Sequence, residues 1–596
     1  MLRTVTCGEL NKNSVGKTET LTGWVDTRRD HGNLIFVDLR DRWGVTQVVF
    51  NPQTNATMHK TAETLRAEYV IRVKGKVEAR PEGTVNAKIP TGEIELQAQE
   101  VEVLNTCQPL PFEMGETNVN EELRLQYRFL DLRRRDMVES LTLRHRVTKL
   151  VHEYLDKQCF IEVETPYLTK STPEGARDFL VPSRLTHGAF YALPQSPQIF
   201  KQILMVSGYD RYYQFARCFR DEDLRKDRQP EHTQIDLEMS FIDEEDIMGV
   251  VEGMVAHVFK HACGVDLKLP LRRMSYKEAM EKYGSDKPDL RYGMEMKDLS
   301  GIFASSGFKV FDEVLAKKGS IRGLCFTPPA GVEFSRKDFD DLTQWIKNFG
   351  AKGLAWFKVT GPETVESPIQ KFFDAARIRK AIETTGAKAG DIVFLVADTF
   401  KVACVALGAL RCFLAEKHKM IPEGKFEMLW VVDFPLFEWN EEEKRCDACH
   451  HPFTSPKPED VPLLDTEPLK VRARAYDIIC NGTEMGGGSI RIHDRKVQSK
   501  IFELLQLTPE QQEAQFGFLL KALTFGAPPH GGLAIGLDRF VTLLLSRDSI
   551  REVIAFPKTQ KGTCLMTDAP SPATERQLRE LNLDAKRMWI EKPNRT

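Results

Sequence analysis

Arg220 and Glu222 stand two residues apart in the charged stretch Phe219-Arg220-Asp221-Glu222-Asp223. A planar guanidinium can grip a phosphate or a carboxylate at two points, and a nearby carboxylate can accept from an amino group. A nucleotide site needs both. Residues 212–218 and 233–241 on either side are rich in apolar and aromatic types and read as strands, while the charged, proline-marked piece between them reads as a loop. This predicts an antiparallel hairpin with charge at its mouth. Alone, the same residues would also suit a solvated surface loop.

Two further stretches narrow the choice. Gly531-Gly532-Leu533-Ala534-Ile535-Gly536-Leu537-Asp538-Arg539-Phe540 reads as a glycine-rich apolar strand running into a helix with an arginine in its first turn. Glycines let a ligand approach the backbone, and a helix start favours negative charge. Earlier, over 151–168, a helical segment gives way to Phe160-Ile161-Glu162-Val163-Glu164-Thr165-Pro166, where the proline closes a strand or marks an edge or interface. In this order the three resemble the signature motifs of class II aminoacyl-tRNA synthetases. Ser171-Thr172-Pro173-Glu174-Gly175-Ala176-Arg177-Asp178, Gln195-Ser196-Pro197-Gln198-Ile199-Phe200-Lys201-Gln202 and Gly486-Gly487-Gly488-Ser489-Ile490-Arg491 resemble the bacterial aspartyl branch of that family. The likeness spans nearly the whole chain.

The resemblance implies a reaction in two steps: L-aspartate attacks the α-phosphate of ATP and releases pyrophosphate, and the aspartyl group then passes to the 3' hydroxyl of a tRNA. An α-carboxylate is ionised at neutral pH, so the first step needs alignment and charge stabilisation rather than a general base. By the same resemblance Arg220, Glu222 and Arg539 are catalytic. ATP would be held by Arg220, Asp221, Glu222, Gln229, Glu484, Gly536, Leu537, Asp538 and Arg539, and Mg2+ by Asp477 and Glu484, placed on one apolar strand over 476–484. Selecting aspartate over asparagine means holding a second carboxylate away from water, which requires paired cations. Lys201 and Arg491 match the family's pair. Arg220, Ser196, Gln198, Gln234 and Asp236 complete the aspartate pocket, with Asp236 addressing the ammonium, and Glu174 and His450 close over it. His31 and Gly83 match the residue types of family members that accept the asparagine tRNA as well as the aspartate tRNA, which predicts charging of both and an amidotransferase partner for the mischarged product. A proline-ended motif of this kind implies a homodimer.

The elements that must position these residues form an α/β multidomain chain. Over 1–107, segments 19–29, 33–39, 45–51, 69–80 and 93–104 read as five strands, with a helix over 57–66. Ile71, Val73 and Val77 alternate with Arg72, Lys74 and Lys76, as in a sheet with one buried and one wet face. Five such strands suggest an OB-fold β-barrel, which binds single-stranded nucleic acid on its second and third strands. Phe36 would stack a base, Gln47 read an edge, and Arg28 and Arg29 meet phosphates, as in anticodon binding. A proline-bearing hinge follows over 108–130. The first part of a class II antiparallel-sheet catalytic domain is expected over 131–290, its Arg133-Arg134-Arg135 run reading as a solvated helix face or as a contact for the tRNA acceptor arm. An inserted α+β domain of the bacterial type is expected over 291–425, the second catalytic part over 426–555, and a C-terminal extension with a helix over 574–589 beyond.

Composition sets the outer limits. The 596 residues are 41% hydrophobic and 28% charged, with a net charge of −3, a globular profile that argues against indiscriminate polyanion binding. No apolar run reaches the roughly 18 residues of a membrane span, and the first residues carry no apolar signal core, so a cytoplasmic protein is expected. Twelve scattered cysteines make no disulfide framework. Cys446-Asp447-Ala448-Cys449-His450 fits a haem-attachment pattern and, with His451, a drawn zinc site; both are set aside, because haem attachment needs export, zinc sites favour regular ligand pairs, and the resemblance uses the pair His450 and His451 for substrate. Rival readings are an aspartyl enzyme strictly confined to the aspartate tRNA, an asparaginyl or lysyl enzyme of the same subclass, and a non-catalytic tRNA-binding relative, which would lack Arg220 or Arg539.

Overall fold

The computed structural model describes residues 1–583 apart from 173, 174 and 226. Strands β1 (Thr18–His31), β2 (Leu34–Arg40), β3 (Val45–Phe50), β4 (Val70–Ala79) and β5 (Ile94–Asn105) close into a barrel in the order β1-β2-β3-β5-β4. Its one parallel pairing is β3 with β5. Alternation builds it: Ile35, Val37, Leu39, Ile71, Val73 and Val77 point inward and are buried, while Phe36, Arg72 and Lys74 face out. Gly32 and Asn33, both at positive φ, make the two-residue turn between β1 and β2.

This compact unit runs from Met1 to Leu141 and includes Ala555–Thr559 and Thr563–Ala569. Its first segment ends inside a helix, α1 (Arg135–Lys157). Two arginines just before that helix are bound within the unit. Arg133 Nη1 pairs with the buried Glu68 at 2.8 Å, and Arg134 Nη1 donates to the Glu116 carbonyl at 2.7 Å. The arginine run is therefore not a solvated face; of the three, Arg135 is the exposed one, paired with Glu139 one turn on. Of the expected C-terminal helix, Glu575–Glu580 is formed, and its remainder falls partly outside the described residues.

The second unit comprises Thr142–Ile554 with Gln560–Gly562 and the chain from Pro570 onward. Besides two short hairpins (Leu180–Pro182 with Phe190–Ala192, and Phe437–Asn440 with Arg445–Ala448), its strands are β6 (Ile161–Glu162), β7 (Arg211–Phe219), β8 (Glu231–Ser240), β9 (Arg272–Ser275), β10 (Met296–Asp298), β11 (Ser320–Phe326), β12 (Ala355–Gly361), β13 (Thr364–Glu366), β14 (Ile392–Asp398), β15 (Met428–Val432), β16 (Ala475–Cys480), β17 (Thr483–Ile490) and β18 (His530–Gly536). Eight of them form one sheet in the order β9-β15-β16-β17-β18-β8-β7-β6, antiparallel except at its two edges, where β9 joins β15 and β6 joins β7 in parallel. Helices α2 (Gln198–Val206), α3 (Glu244–Val258), α4 (Arg495–Leu504), α5 (Pro509–Leu523) and α6 (Leu537–Leu545) surround it. Trp430, Tyr476, Leu237 and Phe540 are buried in the core under the sheet. A separate five-stranded sheet, β10-β11-β14-β12-β13, is formed within residues 296–398. The long helix that follows, Phe400–Lys417, carries the buried Arg411, which donates to the carbonyls of Asp289 and Gly293 and is sandwiched by Tyr283 and Tyr292.

One expected strand is two. Residues 476–484 do not run straight but turn at Asn481 and Gly482, with φ of 51° and 78°, into the β16–β17 hairpin. An Asn-Gly pair between apolar runs favours this turn. Asp477 and Glu484 consequently stand on neighbouring strands rather than along one.

Candidate active site

Side chains alternate along a strand, so Gln234, Asp236 and Glu238 share one face of β8. Directly opposite on β18 lie Gly536, Ala534 and Gly532. Small residues there are a steric requirement: a Cβ on Gly532 would fall 1.9 Å from Glu238 Oε2, and one on Gly487 would fall 2.3 Å from Asp477 Oδ1. Glycines of β17 and β18 thus form the floor of a cavity of about 670 Å³. Ser196, Gln198, Lys201, Arg220, Glu222 and Gln229 line it, as do Gln234, Asp236, His450, Asp477, Glu484, Arg491, Gly536, Asp538 and Arg539. Two of the expected residues are elsewhere: the Leu537 side chain is packed in the core, and Asp221 faces Arg177 at 3.7 Å outside the cavity. A third, Glu174, lies outside the described residues.

At one end the cavity holds an alternating chain of buried charges. Lys201 Nζ lies 3.0 Å from Asp236 and 3.3 Å from Glu238. Arg491 holds Glu238 with two nitrogens at 3.0 and 3.1 Å and donates to Ser489 Oγ at 2.7 Å. Burial pushes Asp236 up to about 6 against the pull of Lys201. Glu238 is just as buried, which alone would raise it, yet it stays below the ordinary range because Arg491 and Lys201 both face it. Around this chain several polar donors are buried without a hydrogen-bond partner among the described residues: Gln198 Nε2, His451 Nε2 and Arg220 Nε. The His451 tautomer is fixed, since Nδ1 accepts from the Phe453 N–H at 3.0 Å, so Nε2 carries the proton. Buried donors left open are costly, and here they converge on one space. Such a site accepts a molecule carrying carboxylate oxygens and one ammonium.

The other end suits a nucleotide. Arg539 is set at the start of α6 by donating to the Glu484 carbonyl at 2.6 Å. Glu222 is 3.0 Å from Arg228 in the hairpin loop. Asp538, in contrast, is a brace: its carboxylate accepts from Arg144 at 2.5 Å and from the Thr233 N–H at 3.2 Å, tying α1 and β8 to α6. Asp477 has a pKa raised well above the usual range by burial, then by Glu484 and Asp286. No set of three or more His, Cys, Asp or Glu side chains among the described residues is arranged to hold a metal.

Sequence reasoning missed Glu238 and His232; His451 it had placed with His450 at the substrate by resemblance. The spacing of two from Asp236 puts Glu238 on the same face of the strand, a signal of its direction but not of its burial. His232 lines the cavity, and burial, then Arg220, Arg217 and Arg539, lower its pKa to about 3. A histidine that stays neutral in the fold and titrates near 6.5 when unfolded contributes stability that is complete above pH 6.5 and is lost progressively as pH falls toward 3. His232→Phe should therefore unfold at higher urea than the parent at pH 5, by about 1–2 kcal/mol, with a smaller difference at pH 7. Equal shifts at both pH values would refute it. Cys446 is buried in an apolar cluster and stands on a short hairpin strand opposite Trp439.

In the barrel unit, Arg29, Phe36, Asp38 and Gln47 meet on one outer face through the β1–β2–β3 register. Phe36 is half-buried, and the arginines are already engaged: Arg28 with Asp30 at 2.7 Å and Arg29 with Asp38 at 2.9 Å. Gln47, 8% exposed, donates to Glu95 at 2.9 Å. A phosphate would have to displace these carboxylates. His31 is exposed at the end of β1, and Gly83 sits at φ 80° in a turn that Thr84 closes onto Pro81, a conformation that favours glycine.

The chain matches the family model for class II tRNA synthetases (D, K and N) over residues 120–560 and that for the OB-fold nucleic acid binding domain over residues 19–104. Curated relatives named aspartate-tRNA(Asp/Asn) ligase include one from Persephonella marina, 54% identical over 97% of this chain and 96% of its own length, and one from Moorella thermoacetica, 55% identical over the same shares. Among solved structures, asparaginyl-tRNA synthetase of Pyrococcus horikoshii with asparaginyl-adenylate aligns with a TM-score of 0.58 at 19% identity, over 94% of this chain and 99% of that one. A putative aspartyl-tRNA synthetase from Leishmania major aligns with a TM-score of 0.58 at 16% identity, over 93% and 94%. These last two share the fold.

Proposed function

Since this chain belongs to the class II tRNA synthetases of the D, K and N group, we propose that it is an aspartate-tRNA ligase that joins L-aspartate, through its adenylate, to tRNA-Asp and also to tRNA-Asn. One observation carries the amino-acid assignment. The open donors Gln198 Nε2 and His451 Nε2 stand with Asp236 around a Lys201–Arg491 pair at one end of a single cavity. An asparagine side chain would bring an amide donor to groups that are already donors, a mismatch a buried site penalises.

In the first step Asp236 holds the ammonium, Lys201 and Arg491 the side-chain carboxylate, and Arg220 bridges the α-carboxylate and the α-phosphate. Glu222 and Gln229 address the nucleotide, and Arg539 takes the far phosphate end. Preorganised cations facing the developing phosphate charge supply the rate. Asp477 and Glu484 fit a divalent cation, because a buried carboxyl next to a second one is relieved by a positive charge. Mg2+ held there would leave most ligand positions to water and phosphate oxygens, and it supplies charge neutralisation on ATP. In the second step the adenylate phosphate is the proton acceptor for the 3' hydroxyl. The barrel face of Phe36 and Gln47 reads the anticodon, with Arg28 and Arg29 on the phosphates. His31 and Gly83 permit both tRNAs, whose asparaginyl product an amidotransferase completes. The enzyme works as a homodimer in the cytoplasm.

Aminoacylation with labelled aspartate on separate tRNA-Asp and tRNA-Asn transcripts tests this reading. Charging of both is the expected result. Charging of tRNA-Asp alone removes the relaxed specificity and the roles of His31 and Gly83, and charging of neither removes the enzyme.

A further inference from the structure

A second hollow, of about 380 Å³, lies between α4 and α5. Phe502 and Leu520 give it an apolar floor. Its deepest polar group is Gln498, only 3% exposed. The Gln498 amide is oriented by Nε2, which donates to the Pro452 carbonyl at 2.9 Å. Oε1 is thereby left facing the hollow as an acceptor with no partner among the described residues. An acceptor at that depth calls for a donor. At the mouth stand two cations, Arg495 and Lys521, and two carboxylates, Asp494 and Glu513. Glu513 is folded over Gly517, where a Cβ would come within 2.5 Å of its Oε1.

We propose that this hollow binds a small zwitterion of the amino-acid class whose side chain carries an N–H donor. Its carboxylate meets Arg495 and Lys521, its ammonium meets Asp494 and Glu513, its methylenes lie on Phe502, and its side-chain donor reaches Gln498 Oε1. Neither cation has an ion-pair partner among the described residues, so each is available. An apolar floor with a few converging polar groups is the usual make-up of a small-molecule site. The occupant is not the substrate aspartate, whose side chain at neutral pH offers acceptors alone.

The hollow is wired to the catalytic cavity. Pro452, to which Gln498 donates, follows His451, whose Nδ1 is bound by the Phe453 N–H. Phe453 packs edge-on against Phe502, the floor of the hollow, with ring centroids 6.0 Å apart. A ligand that fixes Gln498 and Phe502 fixes the loop bearing His450 and His451. This coupling rests on the functional reading given above; the binding does not. Coupling is reciprocal, so the ligand should tighten aspartate binding, by about fivefold at the low end of the usual range.

The test uses the full-length enzyme with a non-hydrolysable aspartyl-adenylate analogue filling the catalytic cavity, and L-glutamine as the probe in calorimetry. Saturable binding of one glutamine per chain is expected, with L-leucine at least tenfold weaker. The rim variant Arg495→Glu/Lys521→Glu should weaken glutamine at least tenfold while leaving pyrophosphate exchange without glutamine unchanged; its exposed positions keep folding out of the question. Absence of saturable binding, equal binding of leucine, or binding that survives the rim variant overturns the proposal. If the analogue itself fails to bind, the fault lies with the functional reading, and the same glutamine titration on the free enzyme still decides the hollow.

Discussion

Arg491→Leu is expected to abolish aspartate activation and to cost the fold about 3–5 kcal/mol. Two separate consequences follow from one geometry. Glu238 is fully buried, and Arg491 supplies two of its close contacts, at 3.0 and 3.1 Å. Without the guanidinium, Lys201 at 3.3 Å must serve both Glu238 and Asp236, which leaves a buried carboxylate short of one cation. The stability loss belongs to that carboxylate, and the activity loss to the substrate's. A paired change separates them: Arg491→Leu/Glu238→Leu removes both partners and should recover most of the urea midpoint, since an ion pair replaced by apolar groups is often neutral. Pyrophosphate exchange should stay at least about 10³-fold down, roughly 4 kcal/mol. If the double variant regains activity along with stability, Arg491 is structural and the carboxylate receptor lies elsewhere.

How much of this arrangement the chain announces depends on the residue. Arg220, Asp236 and Arg491 stand in short stretches whose residue types already imply charge recognition, and they do line one cavity. Glu238 escaped notice because a buried carboxylate that serves as counter-charge looks, in sequence, like any solvated glutamate on a strand. Pairing across β8 decides it, and pairing is a long-range property. Asp538 was assigned to the nucleotide for its place beside Arg539, yet both its oxygens brace Arg144 and Thr233. A helix-start carboxylate has the same local signature whether it meets ligand or protein. The β16–β17 turn is different, because Asn481-Gly482 is a readable hairpin signal that the apolar run around it outweighed. In the barrel the strand alternation was readable throughout, but the ion pairs that hold Arg28 and Arg29 were not: Asp30 is near in sequence, while Asp38, directly opposite Thr27, comes within diagonal reach of Arg29 only once β1 and β2 are in register.

Arg220→Ala is expected to lower pyrophosphate exchange by about 10³–10⁴-fold and to leave the urea midpoint nearly unchanged. Stability is spared because the Arg220 guanidinium Nε has no partner among the described residues, while its main-chain N–H donates to the Pro230 carbonyl at 2.8 Å whatever the side chain. An exchange rate that fell in step with a collapsing midpoint would mark Arg220 as structural. His232 gives a second readout that activity alone would not. After burial, Arg220 is the next cause of its lowered pKa, so in Arg220→Ala the His232 imidazole should titrate higher, part of the way back toward 6.5, as followed by its ring proton shifts. Arg220→Lys restores the charge and should return His232 toward its parent value. Exchange should nevertheless remain low, because an ammonium is a point charge and cannot bridge an α-phosphate and a carboxylate with a fixed fork. Charge and shape would then be resolved in a single position: the histidine titration follows the charge, and the rate follows the fork. A lysine variant that recovers the rate in full would leave the electrostatic role and remove the bidentate one.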